Sequence, residues 1–523
     1  MPPAELVELV EGGERDNIEF KERLERETHL DRGRLESLAA QMRHRVLTGN
    51  GVGVYVVGVS DDGGLVGVDD DAFEETLSVL GAVAGEADVA IADVERYDVD
   101  GGSVGVVTVS DSYGEVEHLV VGTAGHVDHG KSTLVGALVT GEPDDGDGGT
   151  RTYLDVQPHE VERGLSADIS YGVYGFDGDA VIRTDNPLSK REKSDVVRDA
   201  DRLVSFVDTV GHEPWLKTTI RGIVGQKLDY GLVTVAADDG PTRVTREHLG
   251  ILFATDLPCI VAVTKTDVVS DERVREVERE VSELLKSVGR IPHRVDSHGV
   301  DSAVERLPEG VVVPVVRTSA VTLEGYDVLD EFFRRLPKTQ DSPEDPFELY
   351  VDRTYQVTGV GAVASGTVKS GSIEAGDTVY LGPYHDGGYR EVEARSIEMH
   401  YHRVDRAETG NIVGIALKGV DGDDVERGMV LSSEEPPAVR EFEAEVMVLN
   451  HPTRIREGYE PVVHMETVSE AVVFEPESGT VLPGETDVVR ARFKFRPYAV
   501  REGQRFVFRE GKSKGVGTVT KLL

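Results

Sequence analysis

Gly122-Thr123-Ala124-Gly125-His126-Val127-Asp128-His129-Gly130-Lys131-Ser132-Thr133 is the stretch from which the rest of the sequence can be read. Within it, Gly125 to Ser132 fits the phosphate-binding pattern G-x-x-x-x-G-K-[ST]. The apolar residues 119–121 before it read as a strand, and residues 134–139 after it as the start of a helix. In that setting the loop amides and the helix N-terminus face an anionic phosphate. Gly125 and Gly130 permit backbone conformations that a Cβ would penalise. Lys131 reaches the β- and γ-phosphates of a nucleotide, and the Ser132 hydroxyl takes a place on Mg2+. Gly125, His126, Val127, Asp128, His129, Gly130, Lys131, Ser132 and Thr133 are accordingly candidate nucleotide contacts.

A nucleotide site also needs a magnesium carboxylate and a base reader, and both follow in order. Residues 204–207 form an apolar strand that runs into Asp208-Thr209-Val210-Gly211-His212. Asp208 is placed to hold Mg2+ through water, and the Gly211 amide to sense the γ-phosphate. After a strand at 259–263 comes Thr264-Lys265-Thr266-Asp267. A carboxylate there accepts both donors on the Watson–Crick edge of guanine, which adenine does not offer in that arrangement. Ser319-Ala320 follow the strand 311–316, late enough to close over the base. The expected ligands are GTP or GDP with Mg2+.

The 97 acidic and 56 basic residues leave a formal net charge of −41, and the acids are spread along the chain. Spread acid reads as the surface of a halophilic protein in a salt-rich cytosol, where self-repulsion is screened within about 3 Å at 1 M salt. Screening also reconciles acidity with RNA binding through local arginines. Arg403, Arg406, Arg454, Arg456, Arg496 and Arg505 are candidate phosphate contacts. The single cysteine, Cys259, lies in an apolar strand and reads as packing, which leaves no intramolecular disulfide and no cysteine zinc cluster. The first five residues lack the basic start and apolar core of a secretory signal. No apolar run approaches ~20 residues. The expectation is a cytoplasmic chain with no membrane partner.

The pattern divides the chain into four domains: 1–115, small and α/β; 117–340, GTP-binding, with strands alternating with helices as a parallel doubly wound sheet requires; 345–435 and 438–523, two β-barrels of short strands and Gly turns. In the first, Leu35, Leu38, Ala39, Met42 and Val46 have helical spacing, and 52–59 with 65–68 reads as a hairpin. Residues 144–149 and 184–201 are polar and poor in apolar periodicity, and are expected to be mobile loops.

The phosphate loop and Asp208-Thr209-Val210-Gly211-His212 resemble translational GTPases of the elongation factor Tu and elongation factor 1-alpha superfamily. The resemblance runs over residues 118–523, through Gly366-Thr367-Val368, Glu426-Arg427-Gly428-Met429 and Gly503-Gln504-Arg505-Phe506. Leu216-Lys217-Thr218-Thr219-Ile220, the Thr-Lys-x-Asp variant and the N-terminal extension are most similar to the branch called GTP-binding proteins one and two. The resemblance implies that His212 orients the water attacking the γ-phosphate, and that Asp128 assists with a cation nearby. Val127 and Leu165 stand where the family has an apolar gate, or pack as ordinary core. Ser166 replaces the usual Thr of the first switch as a metal ligand, with Ser170 as a neighbouring candidate. Thr264 replaces an Asn whose amide a hydroxyl cannot reproduce, and Lys265 lays its stem along the base. In the second domain Tyr355 matches a pocket aromatic, and Glu398 an acid contacting the terminal adenosine of tRNA. Tyr401 stands where Arg is common, and Asn411 falls one place off the usual Asn.

The implied partners are the ribosome and aminoacyl-tRNA or another RNA, with the chain a monomer. Two functions stay open: RNA delivery, or regulation of RNA surveillance and ribosome rescue with a partner recruited through the N-terminal domain. Residues 16–21 and 58–68 resemble an Alba-like domain found in Schlafen proteins, in which Glu19 and Asp62 read as surface acids.

Overall fold

The computed structural model describes the chain apart from residues 1–5, 7–8, 11, 16, 50–51, 61–62, 88, 100, 111–115, 155–168, 210–224, 340–343, 358–359, 452 and 512. It divides into two compact units, residues 1–116 with 403–406, and residues 117–402 with 407–523.

In the first unit β1 (Ile18–Lys21), β2 (Val52–Val57), β3 (Ala90–Val99) and β4 (Gly102–Ser110) form a sheet of order β1-β2-β4-β3. β1 is parallel to β2, and the other pairs are antiparallel. The helical spacing read from the sequence builds Arg32–Thr48, which packs with Asp70–Ala87 on one sheet face through Leu38, Met42, Val79, Val107 and Val109. The expected hairpin shrinks to one antiparallel bridge, Val59 to Leu65. Glu19 is not a surface acid. It is 7% exposed and ion-paired by Lys21 and Arg45, as a buried carboxylate must be. Asp62 lies outside the described residues.

The second unit opens with a doubly wound sheet of β5 (Glu117–Gly125), β6 (Ser170–Asp177), β7 (Ala180–Ile182), β8 (Arg202–Asp208), β9 (Tyr230–Ala236), β10 (Cys259–Thr264), β11 (Ile291–Arg294) and β12 (Val312–Arg317). Its order is β11-β12-β10-β9-β5-β8-β6-β7. Only β6 runs antiparallel to its neighbours, β7 and β8. β8, β9 and β10 are buried along their whole length, as strands covered on both faces are. Cys259 packs among them, and burial pushes its thiol up to about 12. In this architecture ligands collect beyond the carboxyl ends of the central strands.

One of the two polar segments departs from the loop expected of it, and the other is a loop with internal hydrogen bonds. Within 184–201 lies a helix, Lys190–Asp199, capped by the Ser189 hydroxyl, which accepts from the Glu192 amide at 3.3 Å. It buries only Val196 and Val197, too thin a stripe to register as periodicity. Residues 144–149 form a loop knotted around the Asp144 side chain, which accepts the amides of Gly146 (2.9 Å), Gly148 (3.0 Å) and Thr150 (2.9 Å).

Two six-stranded barrels follow. In the first, Gly361–Ser370 and Val430–Ser432 both pair with Glu348–Tyr350 and so close the ring. The second, from Glu441–Asn450 to Ser513–Leu522, closes around Phe442, Phe474, Phe493, Phe506 and Phe508. Among the described residues no helix is long and apolar enough to cross a membrane.

A buried relay joins the sheet to the first barrel. Asn411 accepts the Glu408 amide through Oδ1 (2.7 Å), so its amide nitrogen donates to His118 Nδ1 (3.3 Å). His118 Nε2 then donates to Ser205 Oγ (2.7 Å), and that hydroxyl donates to His400 Nε2 (2.6 Å). Burial, aided by Lys338, pushes His118 down to about 3. Burial, then His118 and Lys193, hold His400 well below its ordinary value. Both imidazoles are therefore neutral when folded and charged when unfolded below 6.5. The unfolded chain binds more protons in that range, so this stability is complete above 6.5 and is lost as pH falls. Each group should contribute a slope of about 1.4 kcal/mol per pH unit. Denaturant unfolding from pH 7.5 to 5 should show a shallower slope in His400→Gln than in the parent, and equal slopes would refute the assignment.

Candidate nucleotide site

β5 ends at Gly125 with φ +138°, and the chain then turns into the helix Lys131–Thr140 through Gly130 at φ +77°. A Cβ on Gly125 would stand 2.5 Å from the Thr234 hydroxyl and 2.6 Å from its carbonyl, so this position requires glycine. Asp128 also takes a left-handed conformation, φ +62°, which an Asp tolerates better than most residues. The Lys131 ammonium folds back over the loop and donates to the carbonyls of His126 (2.9 Å) and Gly125 (3.3 Å). Burial pushes it down to about 8, against the attraction of Asp208 and Asp128. Arriving phosphate supplies the missing negative charge.

Asp208, 1% exposed, organises the end of β8. Its Oδ1 accepts from Thr123 (2.7 Å) and its Oδ2 from Ser132 (2.6 Å). Ser132 Oγ and Asp208 Oδ2 form an all-oxygen donor pair, which suits Mg2+ when phosphates and waters complete its shell. Ser170 heads β6 directly across from Asp208 and is 8% exposed. Gly211, His212, Ser166 and Leu165 lie outside the described residues.

On the base side Thr264 is buried and donates to the His129 carbonyl at 2.8 Å, so its hydroxyl ties the base reader to the phosphate loop. Lys265 adopts φ +58°, with its ammonium 3.6 Å from Asp238. Thr318 donates its amide to the Val263 carbonyl (2.8 Å), which fixes the last loop beside β10. A cavity of about 590 Å³ brings together Val127, Asp128, Gly130, Lys131, Ser132, Thr133, Thr264, Lys265, Asp267 and Ala320. Three candidates turn elsewhere. His129 reaches Asp239 at 3.0 Å, the His126 ring packs edge-on against His129 at 5.3 Å, and the buried Ser319 hydroxyl accepts from the Thr322 amide at 3.1 Å.

The structure adds residues that sequence reasoning missed. His248 Nδ1 accepts the Gly125 amide at 2.9 Å, and burial, then Lys131, push this imidazole down to about 3. Its signal was a histidine inside the apolar face of the helix Arg243–Ala254. In the sequence Thr123 and Arg151 are given no role, and the Asp144 segment reads only as a polar loop.

In the first barrel Tyr355 is 46% exposed and is not core. Glu398 pairs with Gly414, Gly414 with Ser365, and Ser365 with Arg353, two residues before Tyr355. Glu398 and Tyr355 therefore share the outer face. Asn411 is buried in the histidine relay, and Tyr401 is exposed beneath the Lys190 ammonium, 4.9 Å from its ring. Two arginines proposed for RNA phosphate are engaged within the protein. Arg496 is 5% exposed and bonded to the Pro383 and Arg427 carbonyls, and Arg505 pairs with Asp256 at 2.6 Å.

Thr264→Val should weaken GDP and GTP alike, by about 1 kcal/mol or roughly fivefold, because one loop-fixing hydrogen bond is lost. Asp267→Asn should weaken GTP and admit xanthosine triphosphate, since an amide offers a donor to the altered base edge. Equilibrium titration with fluorescent nucleotides reads both, and unchanged base preference in Asp267→Asn would remove Asp267 from the base site.

Comparison with known proteins agrees with this geometry. Residues 116–338 match the elongation factor Tu GTP-binding domain, residues 361–432 its domain 2, and residues 435–523 its C-terminal domain. GTP-binding protein 1 of Xenopus laevis is 34% identical over 499 residues, covering 93% of this chain and 76% of that protein. Elongation factor 1-alpha of Methanopyrus kandleri is 33% identical over 416 residues, covering 73% of this chain and 90% of that one. The crystal structure of a bacterial selenocysteine-specific elongation factor shares the fold, with a TM-score of 0.58 and 24% identity over 77% of this chain and 58% of that one. The chain belongs to the elongation factor Tu family and is a GTP-binding, GTP-hydrolysing enzyme of the translation-factor type.

Proposed function

We propose that the chain is a Mg2+-dependent switch that binds aminoacyl-tRNA or a related RNA in its GTP state and acts at the ribosome. Ser132, Asp208 and Ser166 would hold the metal, which neutralises charge on the phosphates when bound. Lys131 and the loop amides bind the phosphate chain, Asp267 and Lys265 the base, and Ala320 closes over it. Asp128 and His212 act on the reacting end, His212 by orienting the attacking water. The observation that carries the RNA reading is the shared outer face of Tyr355 and Glu398 on a barrel locked to the nucleotide domain. Arg353 supports it: its guanidinium donates to the Ile169 carbonyl at 2.7 Å, a direct bond between the barrel and the nucleotide domain. The spread acidity supports a salt-rich cytoplasm as the working environment.

If this reading holds, GTP-state protein protects the aminoacyl ester of tRNA from hydrolysis in molar KCl, and GDP-state protein does not. Tyr355→Ala and Glu398→Ala each reduce the protection while leaving GTP binding intact. Equal ester hydrolysis with GTP, with GDP and without protein would exclude delivery and favour the surveillance reading.

A further inference from the structure

The Asp144 loop occupies a place that its composition does not suggest. On one side it is fastened to the helix that follows the phosphate loop. The Thr150 hydroxyl lies 3.1 Å from the Thr133 carbonyl, and a Cβ on Gly136 would meet the Thr150 carbonyl at 2.2 Å, so backbone rests on backbone there. On the other side the Asp144 amide donates to the Ala320 carbonyl at 2.9 Å, which fastens the loop to the base-covering segment. Between the fastenings a short helix, Gly149–Tyr153, carries Arg151 into the wall of the nucleotide cavity, and a Cβ on Gly148 would stand 3.4 Å from the Arg151 Cδ and 3.9 Å from the Thr133 hydroxyl, so Arg151 lies close to Thr133.

Charge decides what an arginine there can do. Among the described residues the other cations of the cavity wall are Lys131 and Lys265. Lys265 belongs to the base side and faces Asp238, which leaves Lys131, among the described residues, as the other wall cation on the phosphate side. A nucleoside di- or triphosphate brings several negative charges into a wall that already holds Asp128, Asp144 and Asp147. A guanidinium on a fastened helical turn meets that need with planar, paired donors and little entropy to lose.

We propose that the Asp144 loop is a built wall of the guanine-nucleotide site, and that Arg151 is a second phosphate-binding cation beside Lys131. The inference rests on the guanine-nucleotide reading of the cavity and assigns a contact within it. The test is competition against a fluorescent GDP analogue with Mg2+ present, using GTP, GDP and guanosine on the parent, Arg151→Ala and Arg151→Lys. Arg151→Ala should weaken GDP and GTP by about tenfold or more, the worth of a charge-assisted contact, and Arg151→Lys should recover part of the loss. Guanosine, which has no phosphate, should bind parent and variant within about twofold of each other. GDP binding unchanged in Arg151→Ala overturns the proposal, as does an equal loss for guanosine, which would assign Arg151 to the shape of the loop. A parent protein that binds ADP as well as GDP would overturn the guanine reading itself, an outcome visible before any variant is made.

Discussion

The carboxylate of Asp208 holds two hydroxyls from two elements, Thr123 in β5 and Ser132 in the helix after the phosphate loop. At 1% exposure it has little water to turn to, and a buried carboxylate that loses a partner costs several kcal/mol. This three-way contact therefore fixes where β8 ends relative to the loop. Thr123 extends it, accepting the Thr209 amide at 2.9 Å while its own carbonyl accepts the Thr209 hydroxyl at 2.7 Å. The left-handed turns at Asp128 and Gly130, the folded-back Lys131 and the His248 bond to Gly125 all take their positions from that junction.

The parts that were legible in the sequence are those written in short-range pattern. A strand, a glycine-bounded loop and a helix within 25 residues carry their own signal, and so does the change from helical periodicity to short alternating strands near 345. The sequence was silent where structure depends on distant partners. His118 and Asn411 are 293 positions apart, and His248 is 123 positions from the glycine it holds. It misled where composition stood in for contact. The Asp144 loop looks disordered by its glycines and acids, yet one aspartate satisfies three of its own backbone amides, the local bonding that makes such residues good turn formers. The helix Lys190–Asp199 reads as a loop because it buries only two valines and its contacts to the first barrel are polar, through Ser194 to His402 at 2.8 Å and Lys190 over Tyr401. Glu19 and Arg496, read as surface charge, are buried with partners that no local window could reveal.

In so acidic a chain the arginines are a limited resource, and several serve as cross-links. Arg317 grips Glu278 with two bonds of 2.8 Å, Arg202 joins Glu117 to the carbonyl of Phe333, and Arg505 ties the second barrel to Asp256. The exposed pair, Arg505 with Asp256, contributes little by itself, while Arg317 and Arg202 are largely buried. Their geometry is directional, however, and a planar guanidinium holds two partners in register where a lysine holds a point. Lys514 adds a parallel contact to Glu247 at 2.9 Å, and these polar contacts flank an apolar one in which Val507 of the second barrel packs with the cluster that holds Leu249 and Leu252 of the helix Arg243–Ala254.

The histidine relay gives the first barrel a different kind of attachment. Its three bonds run in a single direction, from the Asn411 amide through His118 and Ser205 to His400, and each proton has one place to go. A slide of the barrel by even one position would strand the buried His118 nitrogens and Ser205 hydroxyl, so halfway placements are penalised while full engagement and full separation are not. Such a contact works as a catch, not as a hinge. Ser205 lies three residues before Asp208 on the same strand, about 10 Å away at strand rise. The strand that ends at Asp208 thus also carries the middle link of the catch.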